Sequence, residues 1–265
     1  MLINNLNKTI YKIESSKLEL KPFPHIIIKD FIPKKLFLKF TASLPNYHDL
    51  KGENIFTQSK SGTKKSIFYE SDFFKKIYSR NKHFKEVILI FKKIEKSVNK
   101  KFNKEINKHI KKKYISSKTT FSCSLSSCIK KYKKSAHLDR REHKIAFLYY
   151  PQIQKNNGGN LCLWSTKKNK IYDVFPSKKK INISKKILPT PNSCIIILNT
   201  SNSYHSVTKF LGNKERKYLY AVYDFPTFDD NYNLKERKKG NNQNIFWKFP
   251  VKVFSKKRML NFINE

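Results

Sequence analysis

Two stretches of this chain carry side chains that could share a ligand. Ser135 to Asp139 read SAHLD, and Tyr204-His205 follow much later in NTSNSYHSV. On an extended segment, residues two apart point to the same side, so His137 and Asp139 face one way together. A second imidazole arriving from a distant strand, His205, would complete two nitrogens and one carboxylate on one face of a metal. That donor set leaves the opposite coordination positions open and suits non-heme Fe(II) that must also bind oxygen. The plainer alternatives are a surface His137 bonded locally to Asp139 and a satisfied core histidine at 205. An HxD triplet alone is a weak signal, so the surrounding elements have to carry the reading.

From Thr119 the apolar period is that of strands. TTFSCSLSSCIKKY, KIAFLYYP, GGNLCLWS, SCIIILNT, HSVTKF and RKYLYAVYDF are short, rich in β-branched and aromatic residues, and separated by turn-forming stretches such as KNNGG and LGNKE. Six such runs without an intervening helix predict a sandwich or barrel. Ahead of them, Phe84, Val87, Ile88, Phe91, Ile94, Val98, Phe102, Ile106 and Ile110 recur every three or four residues. This spacing predicts an amphipathic helix from His83 to about Lys113, broken once and packed on the back of a sheet. Ile26 to Ile28 predict a strand, and Leu36, Phe37, Phe40 and Leu44, after Pro33, a helix. Residues 45–75 are polar, with Gly52 and Gly62, and read as a loop of the kind that forms lids or binding segments. The last forty residues open on the loop-like PTFDDNYNLKERKKGNNQ, beyond which Ile245 to Phe249 and Met259 to Ile263 could dock on the core. The expected class is α+β with a mainly β core. Residues 1–118 form a strand and helix region packing on that core, 119–226 the core itself, and 227–265 a C-terminal extension.

Composition bounds the partners. The chain has 265 residues and a formal charge of +38, from 57 basic against 19 acidic residues, which would ordinarily point to nucleic acid or an anionic surface. The bases are nearly all lysine, spread over the whole length, and accompany abundant Asn, Ile, Phe and Tyr. That pattern reads as compositional bias with solvated faces, and no RNP-type aromatic motif or zinc-finger spacing favours nucleic acid. Cys123, Cys128, Cys162 and Cys194 form no CxxC pair and read as reduced thiols. The start, MLINNLNKTIYKI, lacks the apolar core of a signal peptide, and no run of about 18 apolar residues predicts a membrane span. A cytoplasmic location is the expectation.

The ordered context of the triplet then resembles a known family. The strand AFLYYP follows His137 and Asp139, Gly158-Gly159 open the next strand, an apolar strand ends near Asn199, and His205 and Arg216 come after it. This order is similar to that of the Fe(II)/2-oxoglutarate-dependent dioxygenases, in the branch of the prolyl 4-hydroxylases. The resemblance covers about residues 119–226, and more loosely the opening PFPHIIIKDFIP. It implies a double-stranded β-helix, or jelly roll, with N-terminal supporting helices. It implies that His137, Asp139 and His205 are the iron ligands and that Arg216 pairs with the distal carboxylate of 2-oxoglutarate, a task suited to a planar, permanently charged fork. Tyr150 matches an aromatic that donates to a cosubstrate carboxylate, although the strand reads YPQ where the family has YLN. Arg216 lies farther past the second histidine than usual, so Lys209, Lys214 and Lys217 stay open as substitutes.

The implied reaction consumes O2, decarboxylates 2-oxoglutarate to succinate and CO2, and hydroxylates a substrate, with ascorbate as a candidate reductant. The substrate stays open between a peptide side chain, a small molecule and a sugar-linked intermediate. His143, Arg140 and Arg141 read as loop residues at the mouth of the site, and Gly158-Gly159 as a turn. The rival reading is a non-catalytic β-sandwich module that binds carbohydrate or an acidic polymer through its basic surface.

Overall fold

The computed structural model describes residues 2–50, 56–58, 62–69, 71–109, 119–140, 143–152, 157–166 and 175–224. Five helices and eleven strands lie within them. The helices are α1 (Leu2–Ser15), α2 (Lys34–Ala42), α3 (Asp72–Arg80), α4 (Lys82–Lys93) and α5 (Glu95–His109). The strands are β1 (His25–Ile28), β2 (Phe56–Gln58), β3 (Lys64–Phe68), β4 (Thr120–Cys128), β5 (Lys134–His137) and β6 (His143–Gln152). They continue with β7 (Leu161–Thr166), β8 (Ile181–Ile187), β9 (Ser193–Leu198), β10 (His205–Val207) and β11 (Arg216–Asp224). A seven-stranded sheet runs β1-β9-β6-β11-β4-β3-β2 and a four-stranded one β5-β10-β7-β8, with every pairing antiparallel.

The period of two along each strand divides the large sheet between two cores. On β11, Leu219, Ala221 and Tyr223 turn toward the helices, where they meet Phe84, Phe91, Val98 and Phe102. Tyr218 and Tyr220 turn the other way and join Leu148, Tyr150, Ile195 and Ile197, with Leu161 and Leu163 of the small sheet. Both faces are therefore covered, which is why β6 reads as an almost unbroken buried run.

The six strand-like runs are all strands. The long amphipathic helix is two, α4 and α5, broken at Ile94, and its expected end from 110 onward lies outside the described residues, as does the region 227–265. Asn81 caps α4 through bonds from the backbone N–H groups of His83 and Phe84 at 3.0 and 2.9 Å. The loop expected over 45–75 is corrected: β3 adds to the edge of β4, β2 pairs with β3, and α3 starts at Asp72 under a Ser71 cap. The pattern KKSIF is too short and too basic to announce a strand, and it is one because β4 offers it a partner. β5 and β8 also escaped the pattern, the first being four residues long and the second largely exposed.

One buried side chain fastens the N-terminal segment to the helix-side core. Asn192, at φ 61°, accepts from Tyr149 Oη at 3.1 Å and from the Ile32 N–H at 3.2 Å, and donates to the Ile32 carbonyl at 2.8 Å. Its own backbone bonds Phe31 and Tyr150. Asn192→Ala should cost roughly 3 kcal/mol in urea unfolding, from stranded buried polar groups plus a left-handed backbone without asparagine's tolerance for it. Asn192→Gly should recover only the backbone part, and equal stability of the two variants would contradict this account.

Candidate functional site

The ladder between β5 and β10 sets His205 directly opposite His137. Asp139 follows two residues past the end of β5, and ligand atoms of the three side chains lie within 4.8 Å of one another. Asp139 Oδ1 is 3.5 Å from His137 Nε2 and 3.6 Å from His205 Nε2, and the two rings sit 4.4 Å apart. Both histidines are buried and the aspartate nearly so.

The orientation of each ring is fixed from behind by the same local device. His137 Nδ1 contacts the carbonyl of Ser135 at 2.9 Å, and His205 Nδ1 that of Ser203 at 3.0 Å, each two residues upstream. A carbonyl accepts only, so Nδ1 carries the proton and the Nε2 lone pair is left facing Asp139. Burial, with the charges of Lys134 and His205, pushes His137 down to about 3, which keeps it neutral and able to ligate. Burial opposes the charge of Asp139, but the adjacent His205 and His137 rings outweigh it and hold the carboxyl well below its usual range. Tyr220 Oη donates to Asp139 Oδ2 at 2.9 Å, leaving Oδ1 toward the histidines. Two imidazoles and one carboxylate gathered on one side could hold a divalent metal with positions to spare.

Sequence reasoning missed the residue that joins the segment after Asp139 to the turn before His205. Asn199 Nδ2 donates to the carbonyls of Arg140 and His143 at 2.6 and 2.8 Å, and its Oδ1 accepts from Ser203 Oγ at 2.9 Å. Asparagine at the end of an apolar strand was the available signal. His143 is corrected from a loop residue to the first residue of β6, where its Nδ1 bonds Asp224 at 2.6 Å and its ring lies edge-on to Tyr220. Arg140 is in the loop, and Arg141 lies outside the described residues.

Arg216 opens β11 and is 1% exposed, with the guanidinium 5.1 Å from the ring centre of Tyr150 and 5.6 Å from that of Tyr218. Its Nε and Nη1 have no hydrogen-bond partner, nor has Tyr150 Oη, and all three are buried. Burial pushes the Tyr150 phenol up to about 12 against the pull of Arg216, so it stays a donor. The alternatives are placed elsewhere: Lys209 and Lys214 are exposed, and buried Lys217 is paired with Glu215 at 3.0 Å and bonded to Asn46. Gly158 and Gly159 have φ of 72° and 66°. A Cβ on Gly158 would lie 2.1 Å from the Lys209 carbonyl oxygen, and one on Gly159 would lie 3.4 Å from Arg216 Cδ and Nε. The pair is a turn, and it also lets the backbone close over the arginine.

No family model matches the chain, and no curated protein matches it in sequence. By structure it is similar to a prolyl-4-hydroxylase of Pseudomonas putida, at 12% identity and a TM-score of 0.51, covering 83% of this chain and 98% of that one. It is similar to the same degree, TM-score 0.51 at 15% identity, to a prolyl hydroxylase of Trichoplax adhaerens solved with a hypoxia inducible factor peptide. That match covers 91% of this chain and 96% of the other. The chain resembles prolyl hydroxylases in fold. Among the described residues, no helix is long and apolar enough to cross a membrane.

The bond from Tyr220 has a measurable consequence. Tyr220→Phe should weaken Co(II) binding by roughly 10- to 100-fold in an absorbance titration, while the thermal midpoint of the metal-free protein changes little. Unchanged Co(II) affinity would show that the phenol does not orient Asp139.

Proposed function

We propose that the chain is an Fe(II)- and 2-oxoglutarate-dependent dioxygenase that hydroxylates a substrate held between its two sheets. One observation carries the reading. A fully buried guanidinium with two unpaired nitrogens lies beside an unpaired buried phenol, in the same fold as a His-Asp-His cluster. Leaving such groups unpaired is costly, so the pocket fits an anion, and a planar fork fits a carboxylate. In this reading the two sheets are a double-stranded β-helix, residues 119–226 are the catalytic unit supported by 1–118, and the four buried free thiols fit a cytoplasmic enzyme.

His137, Asp139 and His205 would hold the metal, and Arg216 with Tyr150 the distal carboxylate of 2-oxoglutarate. Bound there, metal and keto acid would supply the oxidising chemistry that couples decarboxylation to hydroxylation of a C–H bond. The protein's own groups do the rest. The carbonyls of Ser135 and Ser203 hold the Nδ1 side of each ring and turn Nε2 toward the metal position, and Tyr220 restricts Asp139 to one free oxygen. The apolar walls, Leu148, Leu161, Leu163 and Ile195, limit water beside the site. The peptide in the Trichoplax structure makes a protein side chain one candidate substrate class, beside small molecules and sugar-linked intermediates.

Anaerobic titration with Fe(II) and 2-oxoglutarate tests this. The native chain should develop the weak visible charge-transfer band of a keto acid chelated to iron. His137→Ala should abolish it, and Arg216→Ala should raise the 2-oxoglutarate needed by roughly 10- to 100-fold, the worth of a charged bidentate pair. No band in the native chain, with iron content unaffected by His137→Ala, would refute the proposal in favour of a binding module.

A further inference from the structure

The row of side chains that contains Arg216 continues across the large sheet. Arg216 on β11 and Lys64 on β3 both pair with Cys128 on the intervening β4, so all three leave the same face. From the small sheet opposite comes Lys134, the first residue of β5, close enough to act electrostatically on Lys64, Asp139, Tyr218 and His137. Among the described residues neither lysine makes a hydrogen bond or an ion pair. Lys64 rests over the Tyr218 ring at 5.3 Å. The one carboxylate that acts on both lysines is Asp139, which two histidines and Tyr220 already share.

Both lysines are half-buried, and burial is the leading cause that lowers the pKa of each. Repulsion from Lys64 adds to the effect on Lys134. Two lysines on facing sheets with only the shared Asp139 as an anion leave positive charge uncompensated between the sheets. The cosubstrate does not supply that compensation. With the metal and Arg216 set against Asp139 and the dianion of 2-oxoglutarate, the loaded site is already neutral before either lysine is counted. Beside them the floor is small and polar, with Ser66 Oγ bonded to Ser126 Oγ at 2.7 Å and Ser124 two residues along β4 on the same face.

We propose that Lys64 and Lys134 form a second anion site between the sheets, next to the triad, and that the substrate presents a carboxylate or phosphate to it. The inference rests on the oxygenase reading for its charge balance and narrows that reading to acidic substrates. A hydroxylatable C–H bond would be held within one side chain's reach of the substrate's own negative charge.

The test uses the intact chain loaded anaerobically with Fe(II) and 2-oxoglutarate, in native form and as Lys64→Met, Lys134→Met, the double variant and Lys64→Arg. Inorganic phosphate is the probe, added at constant ionic strength and read as the thermal midpoint of the loaded protein. Phosphate should raise the native midpoint saturably, bind roughly tenfold more weakly in each single Met variant, and lose its effect in the double variant. Lys64→Arg should retain it. The 2-oxoglutarate midpoint of the visible band should stay within roughly twofold in every lysine variant, since the distal carboxylate belongs to Arg216. If that midpoint moves as far as in Arg216→Ala, the lysines serve the cosubstrate and the proposal is overturned. It is equally overturned if phosphate has no saturable effect on the native chain or acts alike on the native chain and the double variant. Absence of the band in the native chain would instead overturn the oxygenase reading, while phosphate binding lost in the double variant would still support the anion site.

Discussion

The antiparallel pairing that sets His205 across from His137 is the constraint on which the rest of the molecule depends. It lies in a short ladder, β10 being three residues long, and such a ladder has little pairing energy of its own. The neighbouring strand β7 fixes β10 from its other side, and the indole of Trp164 bonds Ser206 at 2.8 Å. The large sheet, buried on both faces, then serves as the platform against which this small sheet is held.

Between the sheets the interior differs from the helix-side core. There, packing is mainly aromatic and apolar, as in the edge-on contact of Phe91 with Phe147. The space facing the small sheet instead contains Tyr132, Tyr218, Tyr150, Tyr220, a serine row and Arg216. Polar groups at this depth ordinarily find partners within the protein. Among the buried atoms without one, Nε and Nη1 of Arg216 and Oη of Tyr150 lie together.

Much of this was legible in the sequence because the signals are local. Apolar strand-like runs announced six of the strands, and the HxD spacing placed His137 and Asp139 on one side. What stayed hidden is set by tertiary context. KKSIF becomes a strand through β4, His143 becomes a sheet residue through its bond to Asp224, and Leu2, Leu6, Ile10 and Ile13 have helical spacing whose burial depends on α4 and α5. Arg216 could be separated from Lys209, Lys214 and Lys217 only by seeing which side chain turns between the sheets. Lys64 and Lys134 looked like two more lysines among many, since charge in a sequence does not show whether it has an anion beside it.

The amide of Asn199 ties the Arg140–His143 loop to the turn before His205. With both histidine rings already anchored to backbone carbonyls, the donor atoms are assembled by the polypeptide alone. Coordination then requires little ordering of the chain, and the large core on the helix side does not rely on it. The geometry of the His-Asp-His cluster is thus written into the backbone and its hydrogen bonds, separately from the large core on the helix side.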